Sequence, residues 1–315
     1  MALNILILIA GLFVLIVSGD FLVKGASSFA LKINISPLVV GLTIVAFGTS
    51  APELMISIKA AISGSPDLAM GNVIGSNICN LALVLGLTAL ISPIIVRRNS
   101  IWIDWPMTMG SSLLLYVLVR EGFINSYEGL LFVVILVLYL FFVIRKSRKD
   151  IKVAKELEQE FNLPKSSSTI LKDFTYIAIG SAGLYLGAVL FVRGAQDFAR
   201  FMGIEERIIG ITVVALGTSL PELITACVAS FKKETDLALG NLMGSNIFNI
   251  LSILGVTSII KEIQVSDVIL NTDIIWMLGI TLIILPMMLS KRQIGRFEGA
   301  ILLMIYMYYM YTVVW

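Results

Sequence analysis

Apolar runs of about 20 residues follow one another along almost the whole chain, and that feature restricts the fold more than any other. A segment lying in about 30 Å of hydrocarbon has no water to satisfy its peptide groups, so it must close its own hydrogen bonds as a helix. Ten such runs are read, near residues 3–23, 37–62, 68–92, 101–119, 124–144, 170–192, 206–230, 236–259, 273–289 and 296–314. Composition agrees: 58% of the 315 residues are hydrophobic and 14% are charged, against roughly 25% charged in a soluble domain. The expected class is an all-α integral membrane protein.

The first run lacks a basic leader and continues into "SGDFLVKGASSFALK", so it is read as a retained helix. Basic loops stay on the cytoplasmic face. With the N-terminus outside, seventeen of the 23 Lys and Arg fall inside, and only Lys59, Arg120, Arg193, Arg200, Arg207 and Lys261 fall outside. Both termini are then external. The one long polar stretch, 145–171, becomes a cytoplasmic linker, read as a solvated tether with a surface amphipathic helix as the alternative. It separates a first unit of five helices, 1–144, from a second, 172–315.

The two units repeat one another. "VGLTIVAFGTSAPELMIS" matches "IGITVVALGTSLPELITA", and "PDLAMGNVIGSNICNLALVLGLTALI" matches "TDLALGNLMGSNIFNILSILGVTSII", at a constant offset of 169 residues. The most similar parts are 41–82 and 210–251. Five is an odd number, so the second copy enters the membrane from the opposite side. Inverted repeats of this kind place a substrate site at the midplane, where interrupted helices meet.

Helices 2 and 7 carry that interruption. Pro52 and Pro221 each lack an N–H and crowd the carbonyl four residues earlier, at Gly48 and Gly217. Freed carbonyls persist at membrane depth only when buried in protein or lining a hydrated cavity. Glu53 and Glu222 follow directly, where an uncompensated charge costs at least about 2.5–3.5 kcal/mol. Two carboxylates and freed carbonyls make an all-oxygen site suited to Ca²⁺, and Na⁺ could use the same oxygens. Histidine is absent, and Cys79 and Cys227, inside separate helices, are read as free thiols. That composition disfavours soft metals and offers no nucleophile with an adjacent base.

On helices 3 and 8, Gly71, Gly75, Gly240 and Gly244 are read as close-packing positions. Ser76 with Asn80, and Ser245 with Asn249, are four apart and share a helix face toward the site. Asn72, Asn77, Asn241 and Asn246 fit either interhelical hydrogen bonding or ligation. Asp67 and Asp236 are read as N-caps.

"GTSAPE" with "GNVIGSNICN", and "GTSLPE" with "GNLMGSNIFN", resemble the two α-repeats of the cation/calcium exchanger superfamily, in its sodium/calcium exchanger branches. The likeness covers nearly the whole chain. It implies that Glu53 and Glu222 are central ligands of Ca²⁺ and share in binding Na⁺. It further implies that the carbonyls of Thr49 and Thr218 complete the Ca²⁺ site. The carbonyls of Ala46 and Ala215, and the hydroxyls of Ser50, Ser219, Ser76 and Ser245, would serve flanking Na⁺ sites. Asn80 and Asn249 would line the middle, and helices 1 and 6 would slide against the other eight. Many relatives have Asp where this chain has Asn249, and the potassium-dependent branch is associated with that acid, so K⁺-independent exchange is expected.

The resulting expectation is an electrogenic Na⁺/Ca²⁺ antiporter, not an enzyme. It would act as a monomer in a prokaryotic inner membrane, with the two ions and the lipid bilayer as its partners and with neither cofactor nor nucleic acid. Proton/calcium exchange is the nearest alternative. An intramembrane hydrolase and a cation channel fit less well.

Overall fold

The computed structural model describes residues 2–157, 169–203 and 215–314. Apart from four two-residue strands, the regular elements are helices. The first half runs α1 (Ala2–Lys32), α2 (Pro37–Val40), a π-helical turn Gly41–Val45, α3 (Ala46–Thr49), α4 (Ala51–Ile62), α5 (Pro66–Ile78), a π turn Cys79–Val84 and α6 (Leu85–Ile91). Then come β1 (Ile94–Ile95), a π turn Ser100–Asp104, α7 (Trp105–Leu118), β2 (Phe123–Ile124) and α8 (Ser126–Leu157). The second half runs α9 (Ile170–Phe201), α10 (Ala215–Thr218), α11 (Leu220–Phe231), α12 (Thr235–Phe248), a π turn Asn249–Leu254 and α13 (Gly255–Ile260). It closes with β3 (Ile263–Gln264), a π turn Ile269–Asp273, α14 (Ile274–Leu289), β4 (Gln293–Ile294) and α15 (Arg296–Val314).

Among the described residues six helices are long and apolar enough to cross a membrane, or seven if Pro37–Thr49 and Ala51–Ile62, bent by 46°, are one span. The first part of the expected seventh span, 206–214, lies outside the described residues. Three boundaries differ from the sequence reading, one of them the end of α9, which runs to Phe201 instead of stopping near residue 192. Helix α1 continues to Lys32, and α8 continues through the charged stretch to Leu157, so the start of the expected tether is helix. Nothing in "RKSRKDIKVAKEL" breaks a helix, and its Lys, Arg, Ala, Leu and Glu residues favour one.

The chain is inside out relative to a soluble protein. Large apolar side chains such as Leu6, Phe13, Phe141 and Met304 face outward, whereas Thr49, Ser50, Glu53, Asn80, Glu222 and Asn249 are buried. Lipid tails solvate the first set, and only protein or bound species can satisfy the second.

The two short antiparallel ladders tie the halves together. Ile94 pairs with Ile294 and Ile124 with Ile263. By the sequence repeat, Ile94 corresponds to Ile263 and Ile124 to Ile294. Each ladder is therefore the other with the halves exchanged. Flanking bonds follow suit, with Val96 N donating to Arg292 O at 2.8 Å and Val265 N to Gly122 O at 2.8 Å. The α1–α9 contact obeys the same exchange: a Cβ on Gly11 would meet Phe191 N at 2.5 Å, and one on Gly180 would meet Leu22 N at 2.6 Å.

Small residues also seat α12 against the broken helix. A Cβ on Gly240 would stand 2.2 Å from Leu38 O, and one on Gly244 would stand 2.7 Å from Leu42 Cα. The packing reading holds for these two glycines. Gly71 and Gly75 meet no described atom within 4 Å; the segment that the 169-residue offset relates to residues 35–45, namely 204–214, is outside the described set.

Gly240→Ala is expected to destabilise the detergent-solubilised protein by about 1–3 kcal/mol, because the obstructing atom is backbone and cannot give way. Gly110→Ala is the control: it lies within α7 with no described atom within 4 Å, and should be neutral or stabilising by up to about 1 kcal/mol. Equal falls in Tm for both variants would refute the close-packing account.

Candidate functional site

Both halves break their central helix in the same way. Between α3 and α4 stands Ser50 with φ −87° and ψ 4°, and between α10 and α11 stands Ser219 with the same φ −87° and ψ 4°. These angles fall outside the helical well, in the sparsely populated bridge region. The break lies two residues before the proline rather than at it. Pro52 and Pro221 then sit in the opening turns of α4 and α11, where a fixed φ suits a helix start and the missing N–H is least costly. The usual donor to the Gly48 and Gly217 carbonyls is thereby removed.

Glu53 and Glu222 occupy the first turns of these second half-helices, and both are fully buried. A carboxylate there is favoured by the helix macrodipole, while the carbonyl ends of α3 and α10 point the opposite polarity at the same region.

Their hydrogen bonding is unequal. Glu222 Oε1 accepts from Ser50 Oγ at 3.1 Å and from Ser245 Oγ at 3.4 Å. Thr49 Oγ1 extends that network, 3.2 Å from Asn241 Oδ1 and 3.4 Å from Ser245 Oγ. Glu222 Oε2 and both oxygens of Glu53 have no hydrogen-bond partner among the described residues. Nor have Ser219 Oγ, the two amide atoms of Asn80, or Asn249 Oδ1. Each buried polar group left so costs about 1–3 kcal/mol, more when charged.

The other expected ligands are arranged less uniformly. The Ala46 carbonyl already accepts from Ser50 N at 2.9 Å and from Thr49 Oγ1 at 3.3 Å. Ala215 opens α10, Thr218 is half-buried at its end, and Ser76 is buried on α5. Ser245 and Asn249 diverge: Ser245 meets Glu222, but Asn249 Nδ2 donates to Asn77 Oδ1 at 3.0 Å. Asn249 itself is still helical, its N–H reaching Ser245 O, so the four-residue spacing holds and the two side chains differ only in the partners they meet.

Asparagines largely bridge helices. Asn72 Nδ2 donates to Glu53 O at 3.2 Å and to Ser57 Oγ at 2.9 Å, steadying the turn that carries Glu53. Asn77 Nδ2 reaches Asn246 O at 3.4 Å, while Asn246 Nδ2 bonds its own helix at Leu242 O, 2.7 Å away. Sequence reasoning overlooked Ser57, although its position one turn after Glu53 was the available signal. Asp67 and Asp236 are not N-caps: the cap positions are Ser65 and Glu234, and both acids lie in first turns. Asp236 instead pairs with Arg97 at 2.5 Å.

A crevice of about 560 Å³ approaches the break from one end, bounded by Pro52, Met55, Lys59, Tyr185, Arg193 and Thr218. Among the described residues no three His, Cys, Asp or Glu cluster as a metal site. The donors are carboxylate, hydroxyl, amide and carbonyl oxygens, the set that hard cations take. Unpartnered oxygens on Glu53 and Glu222 fit that chemistry.

Residues 3–145 and 172–315 match the family model described as "Sodium/calcium exchanger protein". The chain is similar to CaxA of Alkalimonas amylolytica, with 41% identity covering 96% of both chains. It is also similar to the sodium/calcium exchanger MaX1 of Methanosarcina acetivorans, 32% identical over 96% of both. Among solved structures it resembles the sodium-calcium exchanger NCX_Mj soaked with zero Na⁺ and Ca²⁺, at a TM-score of 0.85 and 30% identity, covering 99% of each chain.

Two serines at equivalent positions should respond differently. In Na⁺- and Ca²⁺-free buffer, Ser50→Ala is expected to lower stability by about 1 kcal/mol, since Glu222 loses a donor. Ser219→Ala, which deletes an unpartnered hydroxyl, should stay within about 0.5 kcal/mol of the parent or exceed it. Thermal unfolding by intrinsic fluorescence separates them, and matching losses would contradict the asymmetry.

Proposed function

This chain belongs to the sodium/calcium exchanger protein family, and from that premise we propose that it is a secondary antiporter exchanging Na⁺ for Ca²⁺ by alternating access, electrogenically and without K⁺. It is a transporter rather than an enzyme. The observation that carries the reading is the pair Glu53 and Glu222: two buried carboxylates at matching helix breaks, three of whose four oxygens have no partner among the described residues.

Ca²⁺ and a set of Na⁺ ions compete for this cluster. Glu53 and Glu222 are the central ligands, helped by the carbonyls of Thr49, Thr218, Ala46 and Ala215. The hydroxyls of Ser50, Ser219, Ser76 and Ser245 and the amides of Asn80 and Asn249 complete the oxygen set. The cluster is costly to rearrange while its charge is uncompensated, so the protein exchanges its open side only when cations neutralise it. With three Na⁺ per Ca²⁺, a tenfold Na⁺ gradient supplies about 4.1 kcal/mol and the net charge about 2.3 kcal/mol per 100 mV. Together these sustain a Ca²⁺ ratio above about 10⁴, in the direction of extrusion. Asn249 carries no charge and commits its amide N–H to Asn77, which supports K⁺ independence.

The architecture proposed is ten spans, as inverted repeats 1–144 and 172–315 joined by 145–171. The exchanged strand ladders, the matching backbone at Ser50 and Ser219 and the reciprocal glycine contacts of α1 and α9 favour it. Both termini lie outside a cell inner membrane, the linker lies inside, and one chain suffices. Lys24, Lys32, Arg97 and Lys232, all on the proposed inner face, make ion pairs with Asp20, Asp173, Asp236 and Asp20 respectively.

Proteoliposomes loaded with Na⁺ and diluted into Na⁺-free medium are expected to take up ⁴⁵Ca²⁺, faster with an inside-positive potential and unchanged by K⁺. Glu53→Gln and Glu222→Gln should each reduce the rate at least tenfold. Uptake driven by a proton gradient without Na⁺, or surviving both substitutions, would overturn the reading.

A further inference from the structure

Outside the central cluster two described acids are only 2% exposed, Asp173, which pairs with Lys32, and Asp104, in the π turn that opens the fourth span. Asp104 Oδ1 accepts from Tyr139 OH at 3.1 Å, and its Oδ2 has no hydrogen-bond partner among the described residues. The repeat supplies Asp273 bonded to Tyr309 OH, also at 3.1 Å. The pairing is thus common to both halves, but its surroundings are not.

Asp104 lines a crevice of about 300 Å³ at the linker end of the bundle, together with Ser36, Asn99, Lys146, Ser147 and Asp150. The prolongation of α8 beyond the expected span supplies the last three. In the second half Asn99 is matched by Val268, so its oxygen is not repeated. Ser147 Oγ accepts from Ser36 N at 2.9 Å, fixing the two hydroxyls side by side. Arg97 also lines the crevice but is engaged with Asp236 at 2.5 Å. Two carboxylates, Asp104 and Asp150, therefore face one further cation, Lys146, among hydroxyl and amide oxygens.

We propose that this crevice is a second cation site, at which Asp104 and Asp150, with oxygens from Ser36, Asn99 and Ser147, hold a Ca²⁺ ion at the linker face. Excess negative charge and mixed charged and neutral oxygens suit a hard divalent ion that keeps part of its water. The naming of Ca²⁺ rests on the exchange reading; the existence of the site does not.

The test removes the central acids first. Purified Glu53→Gln/Glu222→Gln protein is titrated with Tb³⁺, with luminescence excited through tyrosine, since Tyr139 is hydrogen-bonded to Asp104. A saturable signal displaced by Ca²⁺ is expected, with affinity at least tenfold weaker when Asp104→Asn is added and several-fold weaker with Asp150→Asn. No saturable signal, or one indifferent to Asp104→Asn, overturns the proposal. If the doubly substituted protein fails to elute as a single folded species, equilibrium dialysis of ⁴⁵Ca²⁺ against otherwise unaltered protein replaces it. Asp104→Asn should then lower the bound stoichiometry by one, and an unchanged count overturns the proposal. If the unsubstituted protein shows no Na⁺-driven ⁴⁵Ca²⁺ uptake while the Tb³⁺ signal still depends on Asp104, the crevice stands and the exchange reading falls.

Discussion

Two fully buried carboxylates at matching helix breaks are the constraint that the rest of the molecule answers to. Glu53 and Glu222 are fully buried, yet the described residues supply side-chain donors to only one of their four oxygens. Burying even one unpaired charge at that depth costs several kcal/mol, and two like charges add mutual repulsion. The surrounding features reduce that cost. Breaking both helices at a serine places each acid in a first turn and turns carbonyl ends toward the centre. Glycines on α12 bring its backbone against the broken helix, so Ser245 and Asn241 reach the network around Glu222. These devices lessen the deficit without closing it, and cations remain the natural remainder.

The sequence repeat suggests equality that the side chains do not keep. Ser50 and Ser219 share one backbone geometry, but only Ser50 meets the opposite glutamate. Glu222 is held by a small network, whereas Glu53 is held through its backbone, by Asn72. Glu222 is the better fixed of the pair and Glu53 the more dependent on what binds. A symmetric sequence motif therefore provides two ligands of different stiffness.

Much of this was legible in the sequence, and the reason is the severity of the solvent. Hydrocarbon forces apolar runs into helices, so helices could be expected along these runs, although α1, α8 and α9 continue well past the expected ends. A proline and a glutamate at the centre of such a run admit few explanations, so the break and its acids could be placed as well. The unread features depend on tertiary contact. The π turns at Cys79 and Asn249 leave no local signature, and the bond from Asn249 to Asn77 joins residues 172 apart in the chain. Asp236 looked like a cap because its partner, Arg97, is far away in the chain. Helix α8 was cut short on the evidence of its charges, although a helix leaving the bilayer can continue into water.

One difference between the halves bears on transport directly. At the end where Lys59 and Arg193 stand, the crevice between Met55 and Ala188 is open. The equivalent residues at the other end are Ile224 and Gly19, and there a Cβ on Gly19 would meet Ile224 at 3.0 Å and Val228 at 3.5 Å. An ion pair between Lys232 and Asp20 adds to that closure, and Val189, the counterpart of Asp20, has no charge with which to repeat it. One sequence pattern is thus present in two packings, open on one side and closed on the other. Under the proposed mechanism, exchanging the two packings between halves would close the first crevice and open the second while the acids stay central. The glycine-lined α1–α9 contact is its own counterpart under that exchange, so the proposed mechanism leaves it intact while α1 and α9 move together. Under the same proposal the Lys232–Asp20 pair, which the other half cannot repeat, biases which side is favoured at rest, so pseudo-symmetry provides the two states and its local failure weights them.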